Sequence, residues 1–128
     1  MTALLDTHTI VWSTLRSPKL SPAATAIIED PANHLLISAA SAWEIATKVR
    51  IGKFLEAMPL EAAFPNLPSL TGFEFVDLTV ETALLAGRLL GKHKDPFDRM
   101  IAAQALTLDI PIISIDTKLD VLGVRHIW

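Results

Sequence analysis

Four acidic residues, Asp6, Glu44, Asp98 and Asp116, occupy positions where a carboxylate could do chemistry. Asp6 follows the apolar run Ala3-Leu4-Leu5, Asp116 follows Ile112-Ile113-Ser114-Ile115, and each is followed by a threonine. Asp98 lies in Asp95-Pro-Phe-Asp98-Arg, where Asp95 is a good helix cap and Pro96 is pre-set for the first helical position. Asp98 then falls in the first turn, one of two acids at a positive helix mouth. Each acid also has a local explanation: Asp6 could cap a helix, Glu44 could complete a capping box with Ser41, Asp98 could support the Asp95 cap, and Asp116 could start a turn. Magnitudes separate these roles from a shared one. A cap contributes about 1 kcal/mol, whereas two carboxylates about 4 Å apart repel by roughly 4 kcal/mol at an effective dielectric near 20. Converging acids would need a cation or shared protons. Carboxylate oxygens suit Mg2+ or Mn2+, ions that activate water and neutralise charge in phosphate chemistry.

The chain must position these groups as one domain, residues 1–128. It is 51% apolar, enough for one core and too short for two. Strand-like and helix-like stretches alternate. Strands are predicted at Ala3–Leu5, His34–Ser38, Glu74–Leu78 and Ile112–Ile115, with a short last one within Arg125–Trp128. Helices are predicted after Asp6-Thr7, from Pro22, from Ser41 to Gly52, from Thr79 to about Leu90, and from Pro96 to near Leu108. Phe54 to Gly72 holds Pro59, Pro65 and Pro68 and is read as a connector of short helical turns. The pattern predicts an α/β fold with a mainly parallel central sheet flanked by α-helices. Ligands of such sheets sit off the carboxyl ends of the strands, where the strand order reverses. Asp6 and Asp116 both stand at such ends.

The net charge is −3 with no basic arm, so any phosphate contact must be local. Lys48, one turn beyond Glu44, and Arg99, next to Asp98, are candidates for it, though each could equally form an ion pair. Arg50, Lys53, Lys92 and Lys94 could extend a basic rim. Thr7 and Thr117 could hydrogen-bond a carboxylate or a metal-bound water, or make local turn bonds. His8 and His93 are read as structural or exposed, and Trp12, Trp43 and Trp128 as core or dimer contacts. With no cysteine, disulfides and thiolate sites are excluded. No secretory signal and no apolar run near the roughly 20 residues of a membrane span are visible. A soluble chain, with no membrane contact and a reducing cytoplasm as its setting, is expected.

The order Leu-Leu-Asp6-Thr, Ser-Ala-Trp-Glu44-Ile, Asp-Pro-Phe-Asp98-Arg-Met-Ile-Ala-Ala-Gln-Ala and Ile-Asp116 resembles the PIN-domain ribonucleases, specifically the VapC-like toxins of bacterial type II toxin–antitoxin systems. The resemblance spans essentially the whole chain. It implies a PIN-like fold, an acidic metal site of Asp6, Glu44, Asp98 and Asp116, and Mg2+- or Mn2+-dependent endonucleolytic cleavage of RNA. It also implies a homodimer, silenced by a cognate VapB-like antitoxin whose tail covers the site. Asp95 matches the motif but is read as a cap. Two other functions stay open: a phosphotransfer or phosphatase domain with Asp6 as nucleophile, weakened by the lack of a second acid two positions on, and a non-catalytic module of the same fold.

Overall fold

The computed structural model describes residues 1–128. Five strands form one all-parallel sheet: β1 (Thr2–Leu5), β2 (His34–Ser38), β3 (Glu74–Val76), β4 (Ile112–Ile113) and β5 (His126–Ile127), in the order β3-β2-β1-β4-β5. Seven α-helices flank it: α1 (Thr7–Thr14), α2 (Pro22–Glu29), α3 (Ala39–Arg50), α4 (Met58–Ala63), α5 (Leu67–Thr71), α6 (Val80–Arg88) and α7 (Pro96–Leu108). Successive side chains of the central strand β1 serve opposite faces, as the pleat requires. Leu5 packs with Ile10, Ile37, Ile45 and Phe64 on one side. Leu4 packs with Ile101, Ala102, Ile112 and Leu119 on the other. This is why β1 reads as a continuous apolar run.

Side-chain caps set the helix starts. Ser21 accepts from the Ala24 backbone N–H at 3.0 Å, Thr79 from Thr82 at 3.1 Å, and Asp95 from Phe97 and Asp98 at 2.9 and 3.2 Å. The predicted connector is a chain of short helical turns, ended by Gly72 at φ +78°. No helix is long and apolar enough to cross a membrane.

Three expectations need correction. Helix α3 begins at Ala39, capped by Ser38, whose hydroxyl accepts from the Ala40 N–H at 3.0 Å. Ser41 is therefore inside the helix and buried, and no capping box joins it to Glu44. Strand β3 stops at Val76, because its partner β2 ends at Ser38, the residue paired with Val76, and turns into α3; the Gln104 side-chain amide then donates to the Val76 and Asp77 carbonyls at 3.4 and 3.1 Å. Strand β4 stops at Ile113. Ser114 turns its hydroxyl toward Asp6, Ile115 is half exposed, and a 3-10 helix over Thr117–Leu122 follows.

Candidate functional site

The strand order reverses beside β1, which pairs with β2 on one edge and β4 on the other. The carboxyl ends of β1 and β4 open there into a cavity of about 630 Å³, lined by Asp6, Glu44, Asp98 and Asp116 together with Asp95 and His93. All four acids singled out in the sequence thus face one space from four segments. Their closeness is unequal. Carboxylate or imidazole atoms of Glu44, Asp95 and Asp98, and separately of His93, Asp98 and Asp116, lie within 4.8 Å of one another, with Asp98 common to both groups. Asp6 lines the same cavity without joining either tight group.

Asp6 leaves β1 as the cap of α1. Its Oδ1 accepts from the Thr7 backbone N–H at 2.7 Å, and its Oδ2 accepts from the Ser114 hydroxyl at 2.7 Å. Ser114 also accepts from the Asp116 N–H at 3.0 Å, so one hydroxyl ties the ends of β1 and β4 together. Burial raises the Asp6 pKa above the usual carboxylate range, against the lowering effect of the Ser114 bond. Glu44, buried on α3, forms an ion pair through Oε2 with Lys48 one turn on, while its Oε1 is buried with no hydrogen-bond partner. Lys48 is therefore an internal counter-ion. Burial alone would lower its pKa, but the Glu44 carboxylate raises it overall.

The opposite wall is less settled. Asp98 sits in the first turn of α7, and its pKa is pushed up to about 8, first by burial and then by Asp6, Asp95, Glu44 and Asp116. His93 turns into the pocket rather than into solvent: its side chain is 10% exposed, and Nε2 lies 3.0 Å from Asp98 Oδ2 and 3.9 Å from Asp116 Oδ2. The Asp95 backbone N–H donates to His93 Nδ1 at 3.4 Å, which favours a proton on Nε2, facing the acids. That Nε2 has ion-pair proximity without hydrogen-bond alignment. Asp116 caps the 3-10 helix by accepting from the Lys118 N–H at 2.9 Å.

The other sequence candidates take varied roles, and of them His8, Trp12 and Thr117 also line the cavity. The Arg99 guanidinium donates to the carbonyls of Ala86, His93 and Leu89. Three carbonyl partners make it a clamp between the end of α6 and the start of α7, and this corrects its reading as a phosphate contact. Thr7 is fully buried and shares a hydrogen bond with Ser41 at 3.0 Å, linking α1 to α3; its hydroxyl does not reach a carboxylate. Thr117 is exposed on the cavity rim. Arg50 and Lys53 do not line the cavity. His8 stacks on Phe54 with ring centroids 4.7 Å apart, and Trp12 meets Trp128 edge-on at 5.8 Å. Trp43 is half exposed against Phe97, so it is not a core residue. Sequence reasoning missed Ser114, for which the only signal was a hydroxyl near the end of a strand, and undervalued His93, whose loop gave no hint of its direction.

The donor set fits a hard divalent cation. It offers several carboxylate oxygens, among them a buried Glu44 oxygen without a partner and an Asp98 carboxyl whose pKa burial and then the neighbouring acids raise to about 8.

Comparison with known proteins agrees with this arrangement. The family model described as PIN domain matches residues 3–124. Ribonuclease VapC16 of Mycobacterium tuberculosis (strain ATCC 25618 / H37Rv) is 42% identical over 55 residues, covering 40% of this chain and 39% of that protein. The matched stretch thus spans about two-fifths of the curated relative. Two solved structures share the fold along almost the whole chain. VapBC2 from Rickettsia felis bound to a DNA fragment from their promoter has a TM-score of 0.67 at 17% identity, covering 99% of this chain and 98% of that one. FitAcB from Neisseria gonorrhoeae has a TM-score of 0.66 at 21% identity, covering 100% and 97%. With the family model matching nearly end to end, over a parallel sheet whose switch point gathers the acids, the chain belongs to the PIN domain family.

Proposed function

We propose that this chain is a Mg2+- or Mn2+-dependent endoribonuclease, the toxin of a type II toxin–antitoxin pair. The observation that carries the reading is the convergence of Asp6, Glu44, Asp98 and Asp116 on one cavity, with Asp98 held protonated up to about pH 8 and one Glu44 oxygen left without a partner. Such an assembly is unfavourable by itself and becomes favourable once a cation is bound. The PIN family membership and the ribonuclease named among the relatives support the substrate class.

In this reading Asp6, Glu44, Asp98 and Asp116 hold the ion. When bound, the ion supplies charge neutralisation at the phosphodiester and activation of water for its hydrolysis. Asp6 is kept in place by the Thr7 N–H and the Ser114 hydroxyl, so its direction is set before ligand arrives. Lys48 holds Glu44 with one oxygen engaged and the other buried without a partner. His93 turns an Nε2–H into the pocket beside Asp98 and Asp116, where it can donate to a phosphate oxygen. Thr117, on the rim, can donate to the substrate or a site water.

A homodimer and a cognate VapB-like antitoxin complete the proposal. The neighbouring structures named as VapBC2 and FitAcB support the second partner. Acting on RNA, the protein works in the cytoplasm. The alternative with Asp6 as phosphoryl acceptor is disfavoured, since both of its oxygens already accept buried hydrogen bonds and its pKa is raised. The test is cleavage of total RNA by the purified chain with Mg2+, Mn2+ or chelator, with mapping of the ends produced. Metal-dependent internal cuts are expected. A homogeneous chain that leaves RNA intact in either metal would overturn the reading in favour of a non-catalytic module.

A further inference from the structure

A second cavity, of about 420 Å³, adjoins the acidic one and is lined by Lys92, His93, Lys94, Lys118 and Val121. His93 and Lys118 line both, so the two lie side by side. The three lysines are exposed and none has a carboxylate partner, although the chain has more acids than bases. Other cations near the site are spent internally: Lys48 on Glu44, and Arg99 on three carbonyls. The lysine cleft also has a built geometry. Gly91 has φ +125°, and a Cβ there would stand 2.8 Å from the Val121 carbonyl oxygen, so the loop before α7 lies backbone against backbone on the 3-10 helix that carries Lys118. Arg99 holds the same loop from beneath through the His93 carbonyl.

An acidic pocket repels a polyanion everywhere except at the bound cation, so the flanking phosphates need positive charge close by. From this juxtaposition we infer that the cleft of Lys92, Lys94 and Lys118 is the phosphate subsite for the RNA strand on one side of the scissile bond, with His93 at the junction. The inference rests on the ribonuclease reading for its substrate. It adds a direction: the strand leaves the acids over the loop before α7, not past Lys48 and α3. Recognition here is of the sugar–phosphate backbone and carries no base preference.

The test replaces Lys92, Lys94 and Lys118 together with alanine, and compares this with a triple alanine replacement of Arg16, Lys19 and Arg125, exposed cations that line neither cavity. Binding of a single-stranded RNA carrying a non-cleavable phosphorothioate linkage is followed by anisotropy across salt, and cleavage of the normal RNA by steady-state kinetics. The lysine triple is expected to weaken binding by at least ~10-fold, to place its kinetic loss mainly on KM, and to flatten the slope of log affinity against log salt by about 2, from three contacts at roughly 0.7 each. Lysine-to-arginine replacements should restore binding, and the distal triple should match the native chain. Equal losses in both triples, or an unchanged salt slope in the lysine triple, would overturn the inference. Failure of the native chain to cleave would instead overturn the ribonuclease reading, while the anisotropy comparison would still decide whether the cleft binds RNA.

Discussion

The two walls of the acidic cavity are built on opposite terms. On the wall of β1 and α3, the charges have internal partners: Asp6 accepts from Thr7 and Ser114, and Glu44 is paired with Lys48. On the wall of α7 and the 3-10 helix, Asp98 faces four other acids, and His93 approaches it without an aligned hydrogen bond. The first wall is organised without ligand. The second is held in an unfavourable state that a cation would relieve, which is the behaviour expected of a site selected for binding rather than for stability.

The largest effect should come from the organised wall. Asp6→Asn keeps the shape and cap but removes the charge, and RNA cleavage should fall at least ~100-fold, the equivalent of about 3 kcal/mol of transition-state stabilisation. Circular dichroism should show the fold retained; cleavage within a few-fold of native would remove Asp6 from the machinery.

Next comes the pH response of the strained wall. The Asp98 pKa in the folded chain is about 8 against an ordinary 3.8, so the folded state binds the extra proton between those values. Stability from this group is fully present below pH 4 and is lost as pH rises through 8. Discounted for partial solvent access, the loss should be a few kcal/mol, read from urea unfolding in chelator. Asp98→Asn should flatten that profile and raise Tm at pH 8. A metal-free chain equally stable at pH 5 and pH 8 would contradict the contrast between the walls.

Ser114→Ala breaks the tie between β1 and β4 and should cost about 1–3 kcal/mol for an Asp6 carboxyl left short of a buried donor. Denaturant midpoints measure it. Asp95→Asn should have the smallest effect, within about 0.5 kcal/mol, because asparagine caps as well as aspartate. Its cleavage loss should fall far short of that of Asp6→Asn, and a comparable loss would promote Asp95 from cap to ligand.

What could be read from the sequence divides by range. Backbone signals acting within a few residues were legible: Ser21 and Asp95 as caps, Pro96 opening α7, and the apolar run of β1. Convergence of the acids followed from strand ends and the switch-point rule. Register was not legible. Leu5 pairs with Ile113, so Ser114, not Asp116, continues the ladder opposite Asp6, and the matching Asp-Thr endings are not structural equivalents. Side-chain destinations across the chain were likewise hidden. Nothing local tells that Arg99 reaches back to carbonyls of α6 and its following loop, or that Ser41 meets Thr7 across 34 positions.

Calorimetric titration of Mn2+ into the metal-free chain at pH 7, repeated in buffers of different ionisation enthalpy, tests the shared acidic site most directly. Binding should be accompanied by release of a proton, chiefly from Asp98, with the release fading as pH passes 8 and both affinity and release collapsing in Asp98→Asn. No saturable binding, or binding of equal strength and without proton release in the native and Asp98→Asn chains, would contradict the account.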